Sequence, residues 1–211
     1  MIILQKENTK NIFEKAIRNT KLEPYREQLL QGIANKIAIT LNNNHKVNVN
    51  FICTHNSRRS QFAQIWAYYA MEYYGIGNGN SFSSGTAVTA FHANTIKALE
   101  TCGFKFSLEE FNHQNPKYII NYENAKKNIL GFSKLVENTA NQTPFIAITT
   151  CGNADENCPV ILEASSRFHL PYIDPKASDG QENEKETYLN TCKLIAGEMG
   201  VLFKMVKEQL A

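Results

Sequence analysis

The sequence predicts an α/β fold with three layers, in which helices cover a parallel sheet of four strands and two further helices precede the sheet. From Lys46 onward, short runs of β-forming residues alternate with helical apolar patterns, and this alternation is typical of a parallel sheet with crossover helices. Before residue 45, apolar residues recur at helical spacing only. The 211 residues, 43% of them hydrophobic, are enough for one substantial core with a small appendage.

Two amphipathic helices are expected in residues 1–45, an N-terminal extension of a main domain that spans residues 46–211. The apolar stripe of the first helix consists of Ile12, Phe13, Ala16 and Ile17; that of the second, which follows Pro24, consists of Leu29, Leu30, Ile33, Ile37 and Leu41. The run Asn42-Asn43-Asn44 should end the second helix. The stripes either pack on the α/β core, which is the common use of such a face, or form a dimer contact.

A strand, a loop and a helix are predicted in succession around Cys53. β-Forming residues precede the cysteine and residues at helical spacing follow it: Val47, Val49, Phe51 and Ile52 on one side, and Phe62, Ile65, Trp66, Tyr69 and Ala70 on the other. Cys53 should therefore end a strand, and a helix should begin near Ser57. The N-terminus of that helix would present unpaired N–H groups and a partial positive charge to an oxyanion lying against the sulfur.

The loop after Cys53 contains the residue types that an oxyanion site with a thiol nucleophile requires. The planar guanidinium of Arg59 can hold two oxygens at once, and the Ser60 hydroxyl can donate to the sulfur and favour the thiolate. The predicted oxyanion-binding residues are Thr54, His55, Asn56, Ser57, Arg58 and Arg59. The alternative is that Cys53 is a small buried hydrophobe and Arg59 a surface residue, but the order of nucleophile, guanidinium and hydroxyl favours a site.

The rest of the main domain continues the alternation of strands and helices. The expected elements are a strand at 81–84, a helix at 93–101, strands at 144–150 and 167–173, and a closing helix at 184–210. An insertion at about residues 116–143 could form a hairpin from segments 117–122 and 128–132. That hairpin is either a flap near the site or an edge extension of the sheet.

Composition and charge argue against several classes of protein. The formal net charge is only +2, so neither nucleic acid nor a membrane surface is an expected partner. No apolar stretch reaches membrane-spanning length and the first residues do not form a signal peptide, so the expected location is the cytoplasm. Five cysteines without a secretory pattern are in that compartment more often catalytic or redox-active than structural.

The stretch Cys53-Thr54-His55-Asn56-Ser57-Arg58-Arg59-Ser60 resembles the phosphate-binding loop of the low-molecular-weight protein tyrosine phosphatases and of the thioredoxin-coupled arsenate reductases that share their fold. The resemblance implies a sheet of that type and a site for arsenate or phosphate. It also implies that Asp174, in an Asp-Pro turn after the last strand, is the general acid that protonates the leaving oxygen.

Two positions of the loop differ from the family pattern. His55 replaces a usual glycine and tolerates positive φ less easily than glycine does. Arg58 stands where a second cysteine is common, and its charge should make the loop more electropositive.

Cys151 and Cys158 distinguish a reductase from a phosphatase. With Gly152 after the first and Pro159 after the second, this segment resembles the redox segment of the thioredoxin-coupled arsenate reductases. Reduction of arsenate requires two electrons, which a relay of thiols from Cys53 through Cys151 to Cys158 would supply. The last step of this relay would join Cys151 and Cys158 in a disulfide, which can form only if the segment between these two cysteines rearranges. The alternatives are buried thiols or a metal site, although the spacing is not that of a usual zinc knuckle.

Together these observations predict an arsenate reductase with a role in arsenic resistance, with Cys53 as nucleophile, thioredoxin as reductant, and neither a metal nor another cofactor. Two alternatives stay open. A tyrosine phosphatase would hydrolyse a phosphomonoester through a phosphocysteine at the same site, and a non-catalytic oxyanion- or partner-binding protein would result if His55 and Arg58 spoiled the loop. Cys102 and Cys192 fall in no motif and are expected to be core thiols, and His169 is expected to be a strand residue rather than a catalyst.

Overall fold

A four-stranded parallel sheet lies at the centre of the protein. The structure is a computed structural model that describes residues 8–43, 45–157 and 161–210. The helices are α1 (Thr9–Asn19), α2 (Pro24–Asn42), α3 (Arg59–Tyr73), α4 (Ala93–Thr101), α5 (Gly152–Asn157) and α6 (Glu184–Gln209). The strands are β1 (Val47–Cys53), β2 (Gly79–Gly85), β3 (Lys105–Glu110), β4 (Lys117–Asn121), β5 (Ile129–Gly131), β6 (Phe145–Thr149) and β7 (Ala164–His169), and a 3-10 turn at Pro175–Ser178 precedes α6.

The order of strands in the main sheet is β2-β1-β6-β7, and every neighbouring pair is parallel. All residues of β1 and β6 are buried, as expected of central strands that are covered on both faces. The α/β class and the four parallel strands predicted from the sequence are therefore confirmed. Because parallel strands end at the same edge, the residues that follow β1, β6 and β7 come together there.

Side chains of the central strands join two clusters of unequal size. Val49 and Phe51 belong to the main core, to which α1, α2, α3, α4 and α6 contribute. Ile52 and Ala147 belong to a smaller cluster with Ala154 of α5. Since successive residues of a strand point to opposite faces, the two clusters lie on opposite sides of the sheet, and the fold has three layers.

The two N-terminal helices pack on the core of the main domain. Phe13 of α1 is fully buried, and its ring stacks on that of Trp66 in α3 with centroids 5.7 Å apart. Both α1 and α2 pack against α6. Gly197 of α6 permits a close approach, because a Cβ there would lie 2.7 Å from the carbonyl oxygen of Ala16. The apolar stripes thus cover the core, while the domain boundary at residue 45 stays a prediction.

A smaller antiparallel sheet, in the order β3-β4-β5, includes the inserted region. The expected hairpin is present, since β4 and β5 pair with Ile119 opposite Leu130. Strand β3 was not predicted from the sequence: five of its six residues are exposed, so it lacks the apolar alternation that indicates a half-buried strand.

The last strand of the main sheet is shorter than predicted. It runs from Ala164 to His169, whereas the sequence predicted a strand at residues 167–173. The backbone N–H groups of Leu170 and Tyr172 still donate to the carbonyl oxygens of Thr149 and Thr150, so the chain stays alongside the segment after β6 beyond the last residue of the strand.

None of the helices in the described ranges is long and apolar enough to cross a membrane. In the same ranges, no group of three or more His, Cys, Asp and Glu side chains is arranged to hold a metal ion.

Candidate oxyanion-binding site

Cys53 ends β1 and lies beneath a loop that carries hydrogen-bond donors. The residue is only 4% exposed. Its Sγ accepts a hydrogen bond of 3.2 Å from the backbone N–H of Asn56 and lies 3.1 Å from Oγ of Ser60. Helix α3 begins at Arg59, close to the start predicted near Ser57. The sulfur therefore lies at the N-terminal end of a helix, where the unpaired N–H groups and the helix dipole favour negative charge.

Asn56 fixes both the shape of this loop and the orientation of Ser60. Its φ is +47°, a left-handed conformation that asparagine tolerates better than most residues other than glycine. Its Oδ1 accepts from the backbone N–H of Lys134, and its Nδ2 donates to Ser60 Oγ, each at 2.9 Å. Because Ser60 Oγ accepts this bond, the hydroxyl proton is free to point at the sulfur of Cys53.

His55 does not take the strained backbone conformation that its place in the loop suggested. In the described part of the chain, the non-glycine residues with positive φ are Asn56 and Asn124, so His55 does not have the positive φ that glycine would tolerate better at its position. The left-handed turn falls one residue later, at a side chain suited to it. The carbonyl oxygen of His55 accepts from Thr89 Oγ1 at 3.0 Å and Ser133 Oγ at 2.9 Å, which holds the loop against its neighbours.

Arg59 is paired with Asp174, the expected general acid. Its Nη2 donates to Asp174 Oδ2 at 2.6 Å, and its Nη1 donates to the carbonyl oxygen of Tyr172 at 3.0 Å. Its Nε is buried and has no hydrogen-bond partner among the described residues, so this donor is available to an oxyanion. The other oxygen of Asp174 accepts from the backbone N–H of Lys176 at 3.1 Å. The structure thus brings Arg59 and Asp174 together at the carboxyl edge of the sheet.

Arg58 contacts Asp179, which follows the 3-10 turn after Asp174, and Tyr188 of α6. Its Nε donates to Tyr188 Oη at 2.6 Å and its Nη2 to Asp179 Oδ2 at 2.9 Å, while Tyr188 Oη donates to Asp179 Oδ1 at 2.6 Å. Burial lowers the pKa of Arg58, but the hydrogen bond to Tyr188 and the charge of Asp179 more than offset this and raise it. A direct contact of Arg58 with an oxyanion stays a prediction.

Cys151 lies beside Cys53 at the same edge of the sheet. Strands β1 and β6 are neighbours, with Ile52 opposite Thr149. Cys53 is the last residue of β1 and Cys151 lies two residues beyond the end of β6, so the two cysteines follow strands that are roughly 4.8 Å apart. Both thiols belong to one buried cluster. The Thr54 hydroxyl lies 3.5 Å from Cys151 Sγ. Cys158, the other cysteine of the expected relay, lies outside the described residues.

Helix α5, which follows Cys151, is fastened to the sheet through Asp155. Oδ1 of Asp155 accepts from Thr149 Oγ1 at 2.8 Å and from Arg167 Nη2 at 2.6 Å. His169 is in β7, as expected, and its Nδ1 lies 2.8 Å from the same Thr149 hydroxyl. These partners were missed in the sequence because they join segments that do not adjoin along the chain. Any movement of α5 away from the sheet must break the hydrogen bonds of Asp155 with Thr149 and Arg167.

Lys134 is a buried amine behind the loop. The residue is 2% exposed, and burial lowers its pKa to about 7. Its Nζ lies 4.9 Å from the centre of the Phe132 ring, and the side chain lines a cavity of about 210 Å³ together with Gln64 and Leu130. Sequence reasoning missed it, because an isolated lysine is nearly always a surface residue.

Cys102 and Cys192 lie together in the main core. Both are fully buried, their sulfurs are 3.8 Å apart, and the indole N–H of Trp66 donates to Cys192 Sγ at 3.3 Å. Burial raises the pKa of the Cys192 thiol well above its usual value. The expectation that both are core thiols is confirmed.

The fold and the site define a class: a parallel α/β domain in which a buried cysteine lies under a donor-rich loop between a central strand and the helix that follows. No family model matches the chain. The chain is similar to the arsenate reductase of Bacillus licheniformis, with 26% identity over 153 residues, which are 72% of this chain and 91% of that protein. This relative confirms the resemblance to arsenate reductases that the sequence predicts.

Two solved structures are also similar to the chain. A low-molecular-weight phosphotyrosine phosphatase from Vibrio cholerae matches with a TM-score of 0.46 and 14% identity, over 74% of this chain and 93% of that one. A thioredoxin-dependent arsenate reductase from Corynebacterium glutamicum matches with a TM-score of 0.44 and 18% identity, over 95% of this chain and 85% of that one.

Proposed function

We propose that the protein reduces arsenate to arsenite at Cys53. The observation that carries the proposal is the position of Cys151, which lies two residues beyond the end of β6, the strand next to that of Cys53, and in the same buried cluster. A phosphatase uses one thiol, whereas a reductase needs a second thiol within reach of the first. The relative from Bacillus licheniformis is named an arsenate reductase, which supports the same reaction here.

In the first step, the Cys53 thiolate attacks the arsenic of a bound arsenate. A bond forms between Sγ and arsenic, and one oxygen of arsenate leaves as water after it receives a proton. Asp174 supplies that proton as a general acid, while Arg59 and the N–H groups of residues 54–58 hold the remaining oxygens. Because the Asp174 carboxylate accepts a hydrogen bond from Arg59, Arg59 has to turn toward the oxyanion before Asp174 can carry the proton.

Two exchange steps then release arsenite and regenerate Cys53. The Cys151 thiolate attacks Cys53 Sγ, the electron pair of the sulfur–arsenic bond leaves with arsenic as arsenite, and a Cys53–Cys151 disulfide forms. The Cys158 thiolate attacks Cys151 next, which frees Cys53 and leaves a Cys151–Cys158 disulfide. A dithiol protein of the thioredoxin type reduces this disulfide, so that two electrons pass from the reductant to arsenic in each turnover.

Replacing Cys158 with serine tests the order of the thiols. The Cys158→Ser protein should release one arsenite and stop with Cys53 and Cys151 joined, whereas Cys151→Ser should release none. Peptide mapping of the non-reduced protein after one equivalent of arsenate measures both outcomes. Cys102→Ala is the matched control, because it removes a thiol of the core and should leave turnover intact. Repeated turnover of Cys158→Ser with thioredoxin would contradict the relay.

The identity of the reductant needs a separate assay. Arsenate-dependent consumption of reducing equivalents should proceed with thioredoxin and its reductase, because a dithiol reductant resolves a protein disulfide without a further thiol. Equal or faster turnover with glutaredoxin and glutathione would argue against thioredoxin as the partner.

A tyrosine phosphatase is the second candidate, because the contacts of Cys53, Arg59 and Asp174 do not involve Cys151. Hydrolysis of an aryl phosphate that persists in a protein lacking Cys151 and Cys158, without thioredoxin-dependent arsenate turnover, would favour it. A non-catalytic oxyanion-binding protein is favoured instead if iodoacetamide alkylates Cys53 no faster than the other thiols near neutral pH.

A further inference from the structure

Two adjacent arginines form ion pairs with the two ends of the segment 174–179, which carries Asp174. Arg59 pairs with Asp174 at 2.6 Å, immediately before the 3-10 turn Pro175–Ser178, and Arg58 pairs with Asp179 at 2.9 Å, immediately after it. The two arginines are neighbours at the start of α3. The segment is therefore attached at both ends to the same short stretch that follows the oxyanion loop.

The contact at the Asp179 end belongs to a closed network. Arg58, Asp179 and Tyr188 hydrogen-bond to one another in a triangle, and Tyr188 is 1% exposed in α6. His92 stacks on the Tyr188 ring with centroids 5.5 Å apart, and its Nε2 lies 3.9 Å from Asp179 Oδ2. Burial would raise the pKa of Asp179, but the Tyr188 hydroxyl and the Arg58 charge lower it below its usual range. Asp179 is thus held as a carboxylate between two donors.

The two arginine contacts differ in what an oxyanion does to them. Arg59 is the residue that would bind the oxyanion. To hold two oxygens at once it must use an Nη donor beside its unpaired Nε, and Nη2 is the donor that it now gives to Asp174. Arg58 has two of its donors engaged by Tyr188 and Asp179, and these partners do not lie in the loop. Ligand binding therefore weakens one attachment of the segment and leaves the other in place.

We propose that Arg58 is a positioning residue, which holds Asp174 at the site through Asp179 while Arg59 is occupied by the oxyanion. This role rests on the proposed function of Asp174 as general acid. It also explains how an arginine is accommodated at a position where the resemblance leads one to expect cysteine. Arg58 then acts on the proton-transfer step rather than on the binding of the oxyanion.

A first experiment measures the attachment itself and does not depend on activity. Hydrogen exchange of the peptide covering residues 172–182 should be about fivefold or more faster in Asp179→Ala than in the wild type, because opening of this segment is then opposed at one end only. Tyr188→Phe should give a smaller increase, since it keeps the Arg58–Asp179 pair. Glu110→Ala is the matched control, because it breaks the exposed 2.6 Å pair of Glu110 with Lys117 far along the chain. Unchanged exchange in Asp179→Ala would overturn the proposal.

A second experiment asks whether the attachment serves proton transfer. With phenyl phosphate, whose leaving group needs a proton, kcat of Asp179→Ala should fall on the order of ten- to a hundredfold with KM nearly unchanged. With p-nitrophenyl phosphate, whose leaving group needs little protonation, the loss should be about threefold at most. In an Asp174→Ala background, Asp179→Ala should cause no further loss.

The outcomes of the two experiments separate this proposal from the proposed function. Two results would overturn the positioning role, because each would show that Asp179 supports the fold and not the general acid. In one, Asp179→Ala lowers kcat equally with both phosphates; in the other, it lowers kcat as much in the Asp174→Ala background as in the wild type. A wild-type protein that turns over neither arsenate nor aryl phosphates would defeat the proposed function. The exchange measurement would still decide whether Arg58 holds the segment.

Discussion

Replacing Lys134 with methionine should change how the stability of the protein depends on pH. Burial lowers the pKa of Lys134 from 10.5 to about 7, because the charged amine loses its hydration. Below pH 7 both the folded and the unfolded chain carry the charge, and burying it costs about 5 kcal/mol at 1.36 kcal/mol per pKa unit. Between pH 7 and 10.5 the folded protein is neutral at this site while the unfolded chain is still protonated, so this cost declines as the pH rises.

The Lys134→Met variant keeps an unbranched side chain and removes the charge, so its advantage in free energy of unfolding over the wild type should be largest at low pH. From pH 6 to pH 9 that advantage should shrink by about 3 kcal/mol. Urea denaturation of both proteins at several pH values measures the difference and cancels the groups that they share. Lys127→Met is the control, because Lys127 is exposed at the same cavity and should change stability by less than about 0.5 kcal/mol throughout. A pH-independent difference, or a variant less stable than the wild type at pH 6, would refute the reasoning.

Three further predictions follow from the geometry of single residues. Gly197→Ala should destabilise the protein by roughly 1–3 kcal/mol in chemical denaturation, because its Cβ would lie 2.0 Å from Thr20 Oγ1 and 2.7 Å from the Ala16 carbonyl oxygen; the control Gly32→Ala, which meets only Phe168 Cε1 at 3.8 Å, should instead stabilise helix α2 by about 0.5–1 kcal/mol. Ser60→Ala should slow the alkylation of Cys53 by iodoacetamide at pH 7 by roughly 2- to 12-fold, because the thiolate loses one hydrogen bond, and an unchanged rate measured by mass spectrometry would contradict the orientation assigned to that hydroxyl. Asp155→Asn should speed formation of the Cys151–Cys158 disulfide after one equivalent of arsenate, because helix α5 loses its charged contact with Arg167; rapid-quench peptide mapping in which the step is slower would show that Asp155 assists the exchange instead.

The parts of the site that the sequence predicted correctly are those set by neighbours along the chain. The apolar run of β1, the spacing of apolar residues in α3 and the few residues between them determine where Cys53 and Ser60 lie relative to the helix. The Asp-Pro turn likewise indicated a turn after the last strand, and Asp174 starts the 3-10 turn there.

The contacts that the sequence did not predict join residues that are distant along the chain. Arg58 and Asp179 are separated by 121 residues, and no local pattern marks two surface-type charges as partners. The left-handed conformation falls at Asn56 rather than at His55, because backbone conformation in a loop depends on the contacts that hold it, here with Lys134 from another segment. Strand β3 was missed for a related reason, since an exposed edge strand is specified by pairing with β4 rather than by its own apolar residues.

The arrangement of the central strands also determines when the site can form during folding. Strands β1 and β6 are adjacent in the sheet, yet the contact between Thr54 and Cys151 spans 97 residues of sequence. Closing so long a loop costs conformational entropy before the paired strands gain any hydrogen bonds or packing. Parallel sheets whose partners are so distant in sequence are therefore slow to assemble. The thiols Cys53 and Cys151 therefore become neighbours only once the central sheet has closed, so a partly folded chain should hold its reactive cysteines apart.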